Sequence, residues 1–181
     1  MSLRHVLLCQ LSTAPKSGYD LTVALDRSIR QFWHASHQQV YRELAKMTEL
    51  GWVDFEVEQQ PKKPDLKRYY VTQAGLEALS AWAGSEIPAL KIKNEMLIRL
   101  LAMPQVGAAP VVASFEQELA RVNALLSELS SMHSTYFKSV PPNGNPTQLA
   151  MYLSLQYGIE YWSMTARWLQ QTIGLLSGPS H

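Results

Sequence analysis

One cysteine in 181 residues, Cys9, rules out an internal disulfide framework and any zinc knot built on clustered cysteines. Cys9 is accordingly expected as a core or half-buried thiol rather than a sensor. Net charge is also scarce: 16 Lys and Arg against 15 Asp and Glu leave +1. No global field draws the chain to a polyanion, so any affinity for nucleic acid must come from local clusters. No apolar run reaches transmembrane length, and the N-terminus lacks the apolar core and cleavage pattern of a signal peptide. A cytoplasmic location with no membrane partner is therefore expected. His34 and His37 flank Ser36 with no third ligand nearby, which argues against a metal site, and no cofactor is expected. His133 beside Ser134 and the scattered acids form no oriented acid, base or nucleophile, so the chain does not read as an enzyme. What is present is an apolar content of 46%, enough for one domain or two small ones with real cores.

The stretch Ser36–Leu50 carries the strongest local signal. Ser36 followed three residues later by Gln39 is a capping box, which satisfies the first backbone donors of a helix. Val40, Leu44, Met47 and Leu50 recur at spacings of four, three and three and make one apolar stripe. Gln39, Arg42 and Lys46 share the opposite stripe, with His37 and Gln38 near the N-terminal end. Such side chains suit a major groove: Arg and Lys donate to guanine edges or phosphates, and a Gln amide both donates and accepts at adenine. Taken alone, the stretch reads first as an ordinary amphipathic surface helix, since capped helices with a few cations are common.

The residues that follow favour the groove reading. Gly51 is placed as a helix stop, and Trp52 to Glu58 alternates, with Trp52, Asp54, Glu56 and Glu58 against Val53, Phe55 and Val57. A second strand is expected over Lys67–Val71. Pro61 and Pro64 cannot lie in a paired ladder and mark the connection. Within residues 61–70, Lys62, Lys63, Lys67 and Arg68 stand against Asp65 alone, a local charge of +3. A helix followed by a hairpin with a cationic tip outlines a winged helix-turn-helix, in which the helix reads bases and the wing holds phosphates.

Upstream, Ser2 caps a first helix with Leu3, Val6, Leu7 and Leu11 inward, ended by Pro15. Lys16-Ser17-Gly18-Tyr19 turns into a second helix bearing Leu21, Leu25 and Ile29. Gly18 serves either close helix approach or a plain turn. Phe32 and Trp33 are expected to plug the junction. Downstream, Thr72 caps a helix from Gln73 to about Ala83 with Leu76 and Leu79 inward and Trp82 near its end. Gly84, Ser85 and Pro88 then mark a boundary, which gives a winged domain over 1–84 and a helical domain over 85–181. A further helix runs from about Leu90 to Met103, where Pro104 stops it, with Leu97, Leu100 and Leu101 apolar and Lys91, Lys93 and Arg99 solvated.

The C-terminal half is written for long helices. Phe115, Leu119, Val122, Leu126, Leu129, His133 and Tyr136 alternate at four and three, with His133 the one polar interruption, placed to set helix register or to edge a pocket. Asn145-Pro146-Thr147-Gln148 caps the last helix, with proline at its first position. Along that helix Leu155, Ile159, Trp162, Ala166, Leu169, Ile173 and Leu176 form one seam, and Tyr157, Tyr161, Met164 and Trp168 form a second stripe beside it. Two stripes need two neighbours, and a second subunit is the economical source of one. Dimerisation is thus expected through Phe115, Leu119, Val122, Leu126 and Leu129 together with Leu155, Ile159, Trp162, Leu169, Ile173 and Leu176. The second stripe is read as solid dimer core or as the wall of a pocket for a planar aromatic effector.

Taken together, three segments resemble the PadR family of transcriptional regulators in its larger form, with a long helical C-terminal domain: Gly18-Tyr19-Asp20-Leu21, then Gln39 to Leu44 followed by Leu50 to Val53, and Arg68 to Gly75 leading to Trp82. A weaker match runs over Lys91 to Leu97. The resemblance implies a mainly α fold: an N-terminal winged helix-turn-helix with a two-stranded β wing, then a long-helix dimerisation domain. It implies a homodimer on a double-stranded DNA operator, usually as a repressor, with a small aromatic effector in some members. Tyr41 matches the family's helix tyrosine that approaches the DNA backbone or the core beside it, and Arg68 and Tyr70 match the second wing strand. The chain departs from the family at the wing tip, where prolines bracket Lys62 and Lys63. Expected DNA contacts are therefore Ser36, His37, Gln38, Gln39, Tyr41, Arg42 and Lys46 on the helix, and Lys62, Lys63, Lys67 and Arg68 on the wing. The competing reading is a winged-helix protein-interaction module without specific DNA binding.

Overall fold

The computed structural model describes residues 3–28, 35–59, 65–89, 93–137 and 145–178, with side chains throughout except at 26–28. Expectations resting on Ser2, Ile29, Phe32, Trp33, His34, Pro61, Lys62, Lys63, Pro64 and Lys91 lie outside the described residues. The chain divides into two compact units, 1–89 and 90–181.

The first unit runs α1 (Leu3–Leu11), β1 (Lys16–Ser17), α2 (Gly18–Ser28), α3 (His37–Glu49), β2 (Val53–Glu58), β3 (Leu66–Val71) and α4 (Gln73–Ala83). Its sheet is antiparallel in the order β1-β3-β2, and the hairpin register runs from Val53 opposite Val71 to Glu58 opposite Leu66. The third strand is an addition to the expected two-stranded wing: Lys16 and Ser17, read as a turn, pair with Tyr69 and Arg68. The core joins Leu7, Leu8 and Leu11 of α1 to Leu21 and Leu25 of α2, Val40, Leu44 and Met47 of α3, and Val53 and Tyr69 of the sheet. Burying side chains of this size contributes roughly 1.5–3 kcal/mol each against the entropy of folding.

Several positions depart from the expected pattern. Cys9 is exposed, because α1 turns Leu7, Leu8 and Leu11 inward and leaves the position between them facing out. α1 ends at Leu11, before Pro15, where the Ser12 hydroxyl donates to the Leu8 carbonyl at 2.8 Å. Leu50 is 51% exposed rather than part of the α3 stripe. It is the C-cap of α3, and past it the chain leaves the helix through Gly51 at φ +68°. There Gly51 N–H donates to the Thr48 carbonyl and Trp52 N–H to the Met47 carbonyl, both at 2.9 Å, a Schellman closure that favours glycine at the left-handed position. Leu76 is also exposed, while Leu79 packs on the core as expected. Trp52 packs at the base of the hairpin instead of joining the solvent face of β2.

The second unit holds α5 (Glu95–Val106), α6 (Ala108–Phe137) and α7 (Pro146–Ser177). Asn94 caps α5 by accepting from Met96 N–H at 2.9 Å, and Asn145 caps α7 by accepting from Thr147 and Gln148 N–H at 3.0 and 3.1 Å. Pro104 does not stop α5. It lies in the last turn, where it leaves the Leu100 carbonyl without its helical donor, yet the helix runs on to Val106 and ends at Gly107, φ +78°. Val111, Phe115, Val122, Ala166 and Leu169 form the core between α6 and α7, flanked by half-buried Met96, Leu100 and Met103 of α5.

Candidate nucleic-acid interface

The α3 helix has the two faces its sequence implies. Val40, Leu44 and Met47 are fully buried, whereas His37, Gln38, Gln39, Tyr41, Arg42 and Lys46 are exposed on the other side. The capping box closes reciprocally. Gln39 N–H donates to Ser36 Oγ at 3.2 Å, and Ser36 N–H donates to Gln39 Oε1 at 2.8 Å. Ser36 and the acceptor half of Gln39 are therefore engaged in starting the helix, which leaves Gln39 its amide donor for a ligand. Arg42 and Lys46 stand one helical turn apart on the exposed face.

Neighbouring elements fix this helix in place. Arg4 of α1 reaches Glu43 of α3 at 2.8 Å and lies over the Trp52 ring at 5.5 Å, so one side chain ties the helix to the base of the hairpin. The next residue, His5, stacks on Trp82 at 4.6 Å and sits 6.1 Å from Trp52. Burial, then the adjacent Arg4 charge and the N-terminus, push the His5 pKa below its ordinary value. At Gly18 a Cβ would lie 2.7 Å from Cζ of Tyr41, so the absence of a side chain there lets the Tyr41 ring of α3 lie against the start of α2. Close approach, rather than a plain turn, accounts for this glycine. Tyr41 thus lies across the start of α2 with about half its surface open. Burial, and next the neighbouring Tyr41, raise the pKa of Tyr69 in β3.

The hairpin is less cationic than its sequence count suggests. Arg68 Nη2 pairs with Glu58 Oε2 at 3.0 Å, Lys67 Nζ lies 4.0 Å from the centre of the Phe55 ring, and the Tyr70 hydroxyl donates to Asp54 Oδ2 at 3.3 Å. Glu56 lies directly opposite Arg68 in the register, and Asp54 opposite Tyr70. Of the described wing cations, Arg68 has a carboxylate partner and Lys67 keeps its charge beside the Phe55 ring. Lys16, whose pKa is lowered chiefly by burial, is turned back onto α1, where its ammonium donates to the Gln10 carbonyl and the Thr13 hydroxyl. Sequence reasoning missed Tyr19. It is 60% exposed on the first turn of α2 and stacks beside His37 at 6.3 Å. The sequence named it only within the Gly18-Tyr19-Asp20-Leu21 segment, with no contact assigned to it.

In the helical unit, Phe115, Val122, Leu129 and Leu169 are enclosed by their own chain, and Leu119, Leu126, Leu155, Ile159, Trp162, Ile173 and Leu176 are half-buried along the same seam. Of these, Phe115, Leu119, Val122, Leu126, Trp162, Leu169, Ile173 and Leu176 pack together in the core between α6 and α7. Tyr157, Tyr161 and Met164 are exposed, but Trp168 turns toward Phe115 at 5.7 Å, so the second stripe does not form one continuous wall. A cleft of ≈ 590 Å³ lies among α5, α6 and α7, and Tyr161 is the one member of the stripe that lines it, beside Met96, Phe115, Arg121 and Trp162. His133 sits in an aromatic cluster, 5.5 Å from Tyr152 and 6.1 Å from Phe137. Among the described residues its Nε2 has no hydrogen-bond partner.

These features define a winged helix-turn-helix unit followed by a helical unit built on two long helices. Residues 7–81 match the model of the transcriptional regulator PadR-like family, and residues 92–177 match the C-terminal domain named virulence activator alpha. The negative transcriptional regulator PadR of Bacillus subtilis is 26% identical over 176 residues, spanning 96% of this chain and 97% of PadR. Its crystal structure in complex with operator DNA superposes with a TM-score of 0.86 over 97% of this chain and 99% of that one. Its complex with p-coumaric acid gives 0.78 at 26% identity, over 98% and 96% of the two chains. The virulence activator AphA of Vibrio cholerae is 30% identical, with a TM-score of 0.80 over 97% of this chain and 98% of AphA. The chain belongs to the PadR-like family of transcriptional regulators.

Proposed function

We propose that the chain is a sequence-specific DNA-binding transcriptional regulator, a repressor that occupies an operator as a homodimer. The observation that carries this reading is α3, which is buried on Val40, Leu44 and Met47 and open on His37, Gln38, Tyr41, Arg42 and Lys46. That is the arrangement a helix needs to rest on a core while entering a major groove. The operator complex of PadR, a full-length relative, supports it. Residues 1–84 serve DNA and residues 85–181 serve dimerisation, and the protein works in the cytoplasm as a regulator rather than an enzyme. Leu153, Met164 and Leu175 are exposed on α7, while the α6–α7 seam is occupied within the chain. The second copy therefore takes the exposed stripe, with half-buried seam residues at its margin. The p-coumaric acid complex of PadR supports a small aromatic effector here as well, with Tyr161, which lines the cleft, as its first contact. Titration of the full-length dimer onto a duplex recovered by in-vitro selection, at two salt concentrations, tests the reading. Salt-sensitive binding with a preference for the selected sequence is expected. Salt-independent or absent binding would leave the protein-interaction module.

A further inference from the structure

The exposed face of α3 carries few charges for a surface meant to meet a phosphate backbone. Arg42 and Lys46 are its cations, Lys16 is turned away onto α1, and Arg68 is held by Glu58. Affinity gained through phosphate neutralisation scales with the number of cations engaged, and neutral hydrogen-bond donors add positioning that carries no charge. Tyr19 is the donor best placed for this. Its ring stands 60% exposed on the first turn of α2 and stacks beside His37, the first residue of α3. The ring of Tyr41 lies close over Gly18, so Tyr19 leaves the first turn of α2 next to the recognition face. The carboxylate of Asp20 is engaged by the Ser17 hydroxyl at 2.8 Å and by the Ser17 N–H at 3.2 Å. It closes the N-terminus of α2 with a negative charge, which disfavours a phosphate on the helix end itself and favours a long neutral side chain that reaches past it.

We propose that Tyr19 is a positioning residue for DNA, its phenol donating to a backbone phosphate while its ring buttresses His37 on the recognition helix. The inference rests on the DNA-binding reading above. The test is affinity against salt concentration for the full-length wild type and for Tyr19→Phe and Lys46→Ala, on a duplex recovered by in-vitro selection with the wild type. Phenylalanine keeps the ring, the stack and the fold. Tyr19→Phe should weaken binding about tenfold, as expected for a hydrogen bond to a charged group, with the sequence preference and the salt slope unchanged because no charge is lost. Lys46→Ala should reduce the slope by about 0.9 if that lysine meets a phosphate. Wild-type affinity in Tyr19→Phe would overturn the proposal while leaving the DNA-binding reading intact. Failure of the wild type to select or retain any duplex would instead overturn that reading, and the Tyr19 proposal with it.

Discussion

Leu169 and Met164 lie five residues apart on α7, and the structure assigns them opposite roles. Leu169 is fully buried in the α6–α7 core with Phe115 and Val122, whereas Met164 is about half exposed. Truncating Leu169 to alanine removes three carbons from a closed site and leaves a cavity, a change that costs roughly 2–5 kcal/mol depending on how far the walls collapse. Marginal domains hold only about 5–15 kcal/mol in all, so the urea midpoint of Leu169→Ala should fall substantially. Met164→Glu takes nothing from that core and should cost the isolated fold no more than about 0.5 kcal/mol. If the exposed stripe meets a second copy, however, Met164→Glu buries an uncompensated carboxylate at the contact and should shift the protein toward a folded monomer. Urea unfolding by circular dichroism, at fixed protomer concentration because dimers couple the two equilibria, together with equilibrium sedimentation, separates the two effects. Dimer loss with an unchanged unfolding midpoint in Leu169→Ala, alongside an intact dimer in Met164→Glu, would refute the reasoning and return the buried seam to the subunit interface.

Three further outcomes are expected. Arg42→Ala should weaken operator binding by about 1–3 kcal/mol with relaxed preference at one base pair if its contact is bidentate to a base, or weaken all sequences alike if it meets phosphate; far-UV circular dichroism should stay native, and unaltered binding would remove Arg42 from the reading surface. Ser36→Ala deletes the acceptor for Gln39 N–H and should cost about 1 kcal/mol of stability in denaturant titration, so an unchanged midpoint would mean that solvent replaces the cap without loss. The pKa of His5 is depressed from 6.5, so the unfolded chain takes up that proton first as the pH falls. The stabilisation from keeping His5 neutral is complete above the unfolded value and is lost as the pH drops through the folded one. Unfolding midpoints should therefore decline on acidification below about pH 6.5, and less so in His5→Phe, which keeps a ring against Trp82; equal declines in both proteins would assign the titration elsewhere.

Where the fold was legible in the sequence, the signal was local. Ser36 and Gln39 started α3, Val40, Leu44 and Met47 oriented it, and Gly51 closed it, all within sixteen residues. The two strands of the hairpin followed from the alternation from Val53 to Glu58 and the run Lys67 to Val71, although their register was not read. Features set by partners distant in sequence were not legible. The pairing of Lys16 and Ser17 with β3 depends on residues some fifty positions away, and two residues carry no periodicity. Leu50 and Leu76 continued apolar patterns but fell where their helices no longer faced the core. The two stripes of α7 could be read from spacing, yet not which of them α6 would take. Trp168 sat at the edge between the stripes, and only packing against Phe115 decided its side. The charge of the interface was misjudged for a related reason, since counting cations over 61–70 took no account of Glu58, which lies across the hairpin and claims Arg68.

The most direct test of the central claim is in-vitro selection of duplex DNA with the full-length chain, read out as the recovered motif and its affinity at two salt concentrations. Two recognition helices related by a two-fold axis should recover a palindromic motif with half-sites about one helical turn, roughly 34–36 Å, apart. Binding to it should weaken as salt rises. Recovery of no enriched motif by a folded, dimeric protein, or binding that ignores both sequence and salt, would contradict the account.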